Sequence, residues 1–357
     1  MKPIRVCLLG LTHPHSAAHL RTLDLLGAVE GIYLCPDEGE ETPAALMRET
    51  TKILGVLPGL DALVSKRDAP VVLVALRNAR VRVAALRLIR AGKHLYCEKP
   101  LGVSAEDACA IRDEALARGA HVSVCYPWRF HPYIREIRRI IAEGALGRIV
   151  QLNVRWAASQ VRLRDPTHWL FRRAESGGGI LSWLGCHWFD ALRYMLQDDV
   201  VAVAGTTRTL SGEAIDVEDA ACLSLRFASG AIGSFSTGYL LSGGRAGYEG
   251  GASDMALRIW GQRGRVIWDP ALRDSPVTIE TVSAAEQRAS LREFNFERRE
   301  CRAYSGPWGL EHAAQFFAAV EGESDFPSSV EDAIYVHRIL DAAYRASESG
   351  CEADVAG

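Results

Sequence analysis

The apolar run VVLVAL, residues 71–76, constrains the fold of this chain more than any other feature. It shows no alternation of polar and apolar residues, as expected of a strand that is covered on both faces. A helical pattern follows as far as Gly92, and another short strand, HLYC, occupies residues 94–97. A strand, a helix and a strand in this order predict a parallel sheet with helices packed on its faces.

The same alternation extends through the first 125 residues. The other predicted elements are strands at 4–10, 31–35 and 121–126, a helix at 16–27 with Ser16 as its N-cap, and a helix after the capping box SAED at 104–107. We therefore predict an α/β domain with a doubly wound parallel sheet over residues 1–125.

Beyond residue 131 the pattern changes to strands joined by short turns. The predicted elements are strands at 148–156, 221–227, 231–237, 255–261 and 265–269, with helices at 309–321 and 330–348 that are expected to cover the sheet. We therefore predict a second domain of α+β type with an antiparallel sheet, residues 126–357.

The composition excludes several classes of protein. The 357 residues carry a net charge of -3 with no block of like charges, which argues against binding to nucleic acid or to an anionic membrane. No segment approaches the roughly 18 apolar residues of a membrane span, and the opening apolar run is too short for a secretory signal. The nine cysteines include no C-x-x-C pair and indicate reduced thiols. We expect a cytoplasmic protein whose partner is a small-molecule substrate.

The segment CEKPLG, residues 97–102, carries the clearest chemical signal. It follows a predicted strand, so Lys99 is expected at the carboxyl edge of the parallel sheet, where ligands of open α/β folds bind. A partly desolvated lysine at this edge can exchange the proton that accompanies hydride transfer. The alternative is a surface lysine that forms a salt bridge with Glu98.

Three segments occur in a characteristic order: AGKHLYCEKPL, RFHPYIREIRRIIAEGALGRI at 129–149 and GGGILSWLGCHWFDALRYML at 177–196. The combination of E-K-P after a strand with G-G-G-x-L-x-x-x-G-x-H-x-x-D is specific. In these motifs the chain resembles the glucose–fructose oxidoreductase/inositol dehydrogenase/rhizopine catabolism family, Gfo/Idh/MocA, over nearly its whole length.

The resemblance implies an oxidoreductase with two domains. An N-terminal Rossmann domain would bind NAD or NADP, and a C-terminal α+β domain with a large open, mostly antiparallel sheet would bind a sugar, a cyclic polyol or a related compound. Lys99 matches the family's acid/base lysine, and His187 with Asp190 matches its H-x-x-D pair. The resemblance also implies a homodimer or homotetramer formed through the C-terminal sheet.

The substrate site departs from the family pattern at Trp183, which replaces an aspartate four residues before His187. Trp183 is a candidate for stacking on a sugar, while His187 would orient the reacting oxygen or, alternatively, satisfy a buried polar group. Arg129 and Trp169 are further candidate substrate contacts, and both are open to a structural explanation, Arg129 through a carboxylate that bridges the domains.

The opening loop GLTHPHS departs from G-x-G-x-x-G, the pattern of a dinucleotide cradle. With one extra residue, Gly10 takes the first glycine position, Thr12 or His13 the second and Ser16 the third, while His19 falls on a family histidine. We interpret the loop as a modified phosphate cradle in which Thr12, His13 and Ser16 supply donors.

Other candidate cofactor contacts follow later strands. They are Leu76, Arg77 and Asn78 in the loop ALRNARV, and Glu98 with Lys99. Asp37, just after the second strand, is the candidate for the adenosine ribose. Because no Arg or Lys stands beside it in this loop, we predict NAD rather than NADP.

Two other functions compete with this one. An H-x-H pair after a first strand, His13 and His15, is typical of metal-dependent hydrolases built on a barrel, but the turn-linked strands beyond residue 148 argue against a barrel, and we expect no metal. A binding protein that kept the fold and lost turnover is the other alternative, and the altered loop and Trp183 favour it.

Overall fold

The computed structural model of the chain describes residues 3–243, 246–248, 250–270, 275–282, 289–297 and 299–355. Contacts divide the chain into two compact units, Met1–Phe130 with Arg298–Tyr335, and His131–Glu297 with Val336–Gly357. The segment Arg298–Tyr335 returns to the first unit, and a single domain boundary at 125/126 does not include such a return. The domain limits derived from the sequence stay a prediction.

The first unit contains an open sheet and its covering helices. Its elements before residue 131 are β1 (Ile4–Leu9), α1 (Ser16–Leu25), β2 (Val29–Cys35), β3 (Ile53–Val56), α2 (Leu60–Ser65), β4 (Val71–Val74), α3 (Asn78–Arg90), β5 (His94–Cys97), α4 (Ala105–Arg118) and β6 (Val122–Val124). The six strands lie in the order β3-β2-β1-β4-β5-β6, and all pairs are parallel. The predicted doubly wound sheet is confirmed.

The strand order reverses between β1 and β4, and this is the point where ligands bind in such sheets. The four residues of β4 are all buried because helices cover both faces, as the run VVLVAL predicted. The turns that follow β1, β4 and β5 therefore lie along one edge of the sheet.

The later elements form a second, larger sheet and more helices. They are α5 (Pro132–Ala142), β7 (Ile149–Ser159), α6 (Arg173–Ser176), α7 (Cys186–Leu196), β8 (Val200–Arg208), β9 (Ala220–Phe227), β10 (Ile232–Leu241), β11 (Ser253–Gly261), β12 (Gly264–Trp268), β13 (Val277–Val282), β14 (Ala289–Phe294), α8 (Gly306–Val320), α9 (Val330–Ser349) and β15 (Ala353–Asp354).

The nine strands of the second sheet lie in the order β14-β13-β12-β11-β7-β10-β9-β8-β15. The pair β7 and β10 is parallel, and the other described pairs are antiparallel. The predicted hairpin is present as β9 and β10. Helix α7 packs on the sheet through Phe189, whose ring lies 5.1 Å from that of Phe235. The mostly antiparallel sheet is confirmed, and both sheets are open, so the barrel of a metal-dependent hydrolase is absent from the described chain.

Helix α8 packs in the core of the first unit, which corrects the expectation that the helix at 309–321 covers the second sheet. Its residues Ala313, Phe316 and Phe317 are buried in the same core cluster as Leu20 and Leu23 of α1. The sequence shows that the helix has an apolar face, but not which core that face completes.

All nine cysteines are free thiols, and five of them are buried. None of the helices that the structure describes is both long and apolar enough to cross a membrane.

Candidate functional site

The carboxyl edge of the first sheet brings together the cofactor residues predicted from the sequence. Gly10 follows β1, the segment Leu76–Asn78 follows β4, and Glu98 with Lys99 follows β5. Leu76 and Asn78 are buried, whereas Arg77 is exposed.

Gly10 is required by the backbone at the crossing of β1 and β4. Its φ is 89°, and a Cβ at this position would overlap the carbonyl oxygen of Ala75. The Ser16 hydroxyl donates a hydrogen bond of 2.8 Å to the Gly10 carbonyl. Ser16 is thus the first residue of α1 and His15 its N-cap, which corrects the prediction of Ser16 as the cap. The Ser16 hydroxyl instead ties the first turn of the helix to the turn at Gly10.

The turn after Gly10 already holds an anion, the carboxylate of Glu40. The backbone N–H groups of Leu11 and Thr12 donate to it at 2.8 and 3.3 Å, and the Thr12 hydroxyl donates to it as well. The Asp37 N–H adds a fourth hydrogen bond of 3.0 Å. The sequence analysis missed Glu40, although the turn at Gly39 within the acidic segment after β2 is the signal that could have found it.

Two further N–H groups of the loop are used within the loop itself. Pro14 has no N–H, His15 donates its N–H to Nδ1 of His13 at 3.1 Å, and the Ser16 N–H donates to the His13 carbonyl at 2.9 Å. The N–H groups facing Glu40 therefore form the anion-binding part of this turn. A dinucleotide phosphate fits the same donors, since it is also an anionic oxygen acceptor, provided that Glu40 leaves them.

Asp37, the candidate for the adenosine ribose, is paired with an arginine that the sequence analysis did not consider. Nε and one terminal nitrogen of Arg80, from α3, each donate to the Asp37 carboxylate at 3.1 Å, and the same nitrogen reaches Glu38 at 3.2 Å. The loop after β2 has no Arg or Lys beside Asp37, but the helix after β4 brings the cation Arg80 to this position.

Glu98 and Lys99 are both buried at the end of β5, so Lys99 is not a surface lysine. One oxygen of Glu98 lies 2.8 Å from Nδ1 of His15 and 2.5 Å from Nε2 of His19, and the other accepts the Lys99 N–H at 3.0 Å. Burial by itself would raise the pKa of Glu98, but the two histidines outweigh it and hold this pKa well below its usual value. Glu98 is therefore ionised at neutral pH.

In the second unit, the glycine motif closes around a buried carboxylate, Glu218. The N–H groups of Gly179 and Leu181 donate to it at 2.8 and 3.0 Å, and the Tyr344 hydroxyl donates at 3.2 Å. A Cβ on Gly179 would overlap the Glu218 carbonyl oxygen. Burial raises the pKa of Glu218. The motif thus allows a close approach of two backbone segments, and its partner Glu218 was not predicted from the sequence.

Of the candidate substrate residues of the second unit, Trp183, His187 and Asp190 lie on two adjoining helices, and Trp169 lies on a separate 3₁₀ turn, Trp169–Phe171. Trp183 belongs to a π-helical turn, Leu181–Gly185, and its ring lies edge-on to that of Trp169 with centroids 6.4 Å apart. His187 and Asp190 follow on α7, are 6% and 1% exposed, and therefore face the interior. The structure brings the two tryptophans together.

Arg129 forms an ion pair of 2.8 Å with Asp332, in the same unit. Burial raises the pKa of Asp332, but the charge of Arg129 and hydrogen bonds from Arg129 and Ser329 more than compensate and lower it overall. Asp332 also completes the capping box at the start of α9, since its N–H donates to the Ser329 hydroxyl. This pair does not bridge the two units, contrary to one of the two explanations left open by the sequence.

Comparison with known families matches two successive parts of the chain. Residues 13–126 match the model of an oxidoreductase family with an NAD-binding Rossmann fold, and residues 134–267 match that of the GFO/IDH/MocA C-terminal domain.

Individual relatives cover most of the chain. It is 28% identical over 301 residues to 1,5-anhydro-D-fructose reductase of Ensifer adhaerens, covering 83% of each protein. It is 26% identical over 290 residues to inositol 2-dehydrogenase of Rhizobium meliloti (strain 1021), covering 80% of this chain and 81% of that protein. The fold is similar to levoglucosan dehydrogenase in complex with NADH and levoglucosan, with a TM-score of 0.84, 22% identity and 100% coverage of both chains.

Proposed function

The chain belongs to the Gfo/Idh/MocA family of oxidoreductases with an NAD-binding Rossmann domain, as its motifs predicted, and we propose that it transfers a hydride between a nicotinamide cofactor and a sugar, cyclic polyol or related hydroxy or keto compound. The observation that carries the proposal is the edge of the first sheet, where an anion-binding turn after β1 and a buried lysine after β5 flank the reversal of strand order.

The cofactor would be held by residues of this edge. The turn from Gly10 through Thr12, His13 and Ser16 would face the phosphates, and Leu76, Arg77 and Asn78 would border the cofactor beside Glu98 and Lys99. The bound nicotinamide supplies the position that accepts or gives up the hydride. Because Lys99 is 1% exposed, its environment excludes water.

Lys99 is the acid/base in this proposal. Its Nζ takes the hydroxyl proton when a substrate alcohol is oxidised and returns it when a carbonyl is reduced. Glu98 accepts the Lys99 N–H at 3.0 Å and is itself bound by His15 and His19, so the backbone at the lysine is held in place.

The substrate contacts rest on the resemblance and on the aromatic pair of the second unit. His187 orients the reacting oxygen, Asp190 supports it, and Trp183 with Trp169 offers apolar surface for a sugar ring. For Arg129, the ion pair with Asp332 favours the structural role over a direct substrate contact.

Cofactor preference, location and assembly are further parts of the proposal. We keep NAD over NADP, because the Asp37 carboxylate can accept from a ribose hydroxyl, although its pair with Arg80 lessens this preference. A cytoplasmic location and a homodimer or homotetramer through the second sheet rest on the composition and on the resemblance.

A titration with NADH and NADPH, followed by turnover assays with sugars and cyclic polyols, tests the proposal. Lys99→Ala is expected to keep the nucleotide affinity and to lower turnover by roughly a thousandfold or more, while Lys66→Ala, a lysine paired with Asp68 in the same unit, changes neither. If neither nucleotide binds, the chain is a binding protein of this fold, an alternative favoured by Glu40 in the turn. Full activity of Lys99→Ala would remove the lysine from the mechanism.

A further inference from the structure

The H-x-H pair after β1 is joined in the structure by a carboxylate from a distant strand. His13, His15 and Glu98 each offer one ligand atom, and these atoms lie within 4.8 Å of one another. Glu98 and His13 are buried, and the side chain of His15 is 19% exposed. The sequence had connected the two histidines only with a barrel hydrolase, and it could not show that Glu98 meets them.

The chemistry of these three groups suits a metal ion. Imidazole nitrogens and carboxylate oxygens are common ligands of divalent transition metals, and here all three come from side chains that already lie close together.

Neighbouring side chains orient two of these ligands. Nε2 of His19 lies 2.5 Å from the same Glu98 oxygen that His15 contacts. The Tyr304 ring packs against the His15 and His19 rings with centroids 4.6 and 4.5 Å away. Partners of this kind hold metal ligands in a defined position.

We propose that His13, His15 and Glu98 form a binding site for a divalent transition metal ion such as Zn²⁺, at the same edge of the sheet as the proposed cofactor contacts and sharing His13 and Glu98 with them. Two nitrogen ligands and one carboxylate favour zinc or cobalt over magnesium and calcium, which prefer oxygen. Three protein ligands would leave the fourth position of a tetrahedral ion for water or a ligand oxygen.

The ammonium of Lys99 opposes this site. Lys99 directly follows Glu98 in the chain and is buried as Glu98 is, so its positive charge would repel a cation held there. Removing that charge is therefore expected to tighten metal binding, a result that a purely structural role of the histidines does not predict.

Metal titration of the full chain tests the proposal without nucleotide or substrate, so its outcome is separate from that of the proposed function. The protein is stripped with a chelator and dialysed, then titrated with Co²⁺, followed by its visible absorption, and with Zn²⁺ in a calorimeter. One equivalent is expected to bind, His13→Ala and His15→Ala each to weaken it at least about tenfold, and Lys99→Met to strengthen it.

His121→Ala is the matched control, because this histidine lies in the same unit and stacks on His94 with ring centroids 4.9 Å apart. It is expected to keep the affinity of the unmodified chain. Circular dichroism checks the fold of each variant. If His13→Ala does not fold, the metal affinity of His15→Ala decides the test, because the His15 side chain is partly exposed. No saturable binding, or equal affinity in a folded His15→Ala, would overturn the proposal.

Discussion

The carboxylate of Glu40 accepts hydrogen bonds from both the backbone N–H and the hydroxyl of Thr12, one of the two candidates for the second position of the altered glycine loop. In a G-x-G-x-x-G loop a glycine at this position lets the backbone approach a pyrophosphate. In this chain the side chain of Glu40, from the segment after β2, occupies the place of the pyrophosphate. Glu40 and a bound phosphate would compete for the same donors, and the charge of Glu40 would repel the phosphate.

Replacing Glu40 by Gln is therefore expected to tighten the binding of NADH and of ADP-ribose by about tenfold. The substitution removes a charge and weakens hydrogen bonds that are worth about 1.5–3 kcal/mol when an ion takes part. Calorimetric titration measures the change, and Glu41→Gln, an exposed neighbour, is the control. Weaker binding in Glu40→Gln would show that Glu40 supports the cofactor instead of competing with it.

The ion pair between Asp37 and Arg80 is expected to set the preference between NADH and NADPH. In Asp37→Asn the guanidinium keeps Glu38 but loses the charge of Asp37 and can meet a 2′-phosphate, so the NADPH affinity should rise about tenfold relative to NADH. In Arg80→Ala the affinity for NADPH should fall relative to the affinity for NADH. Dissociation constants for both nucleotides measure it.

Arg82→Ala provides the control for this pair, since Arg82 also lies on α3 but pairs with Glu106 and Asp107. Its ratio of NADH to NADPH affinity should equal that of the unmodified chain. An unchanged ratio in both Asp37→Asn and Arg80→Ala would place the ribose recognition elsewhere.

Gly179→Ala is expected to lower the free energy of unfolding by about 2–3 kcal/mol. The added methyl group would overlap the Glu218 carbonyl, and backbone must move to relieve it. Urea unfolding measures the loss. Gly27→Ala is the control, because nothing lies within 4 Å of a Cβ there, and it should stay within about 0.5 kcal/mol of the unmodified chain. A similarly small effect in Gly179→Ala would mean that the motif relaxes easily.

The sequence by itself determined both sheets, the family and the edge residues around Lys99. These features follow from local patterns: an unbroken apolar run predicts a covered parallel strand, alternation with short turns predicts antiparallel pairing, and a motif keeps its spacing whatever surrounds it. A turn at Gly10 could also be expected from local sequence, because glycine is the residue that readily adopts the positive φ found there.

Only the tertiary structure decided which distant groups meet. Glu40 in the turn, Arg80 beside Asp37, Glu98 among the histidines and α8 in the first unit all depend on contacts between residues far apart in the chain. Hydrogen bonds and ion pairs depend on short distances between atoms, whereas hydrophobic patterns record only which face of an element is buried. Such contacts are set when the elements pack together, and apart from the turn at Gly39 beside Glu40 the sequence carries no local sign of them.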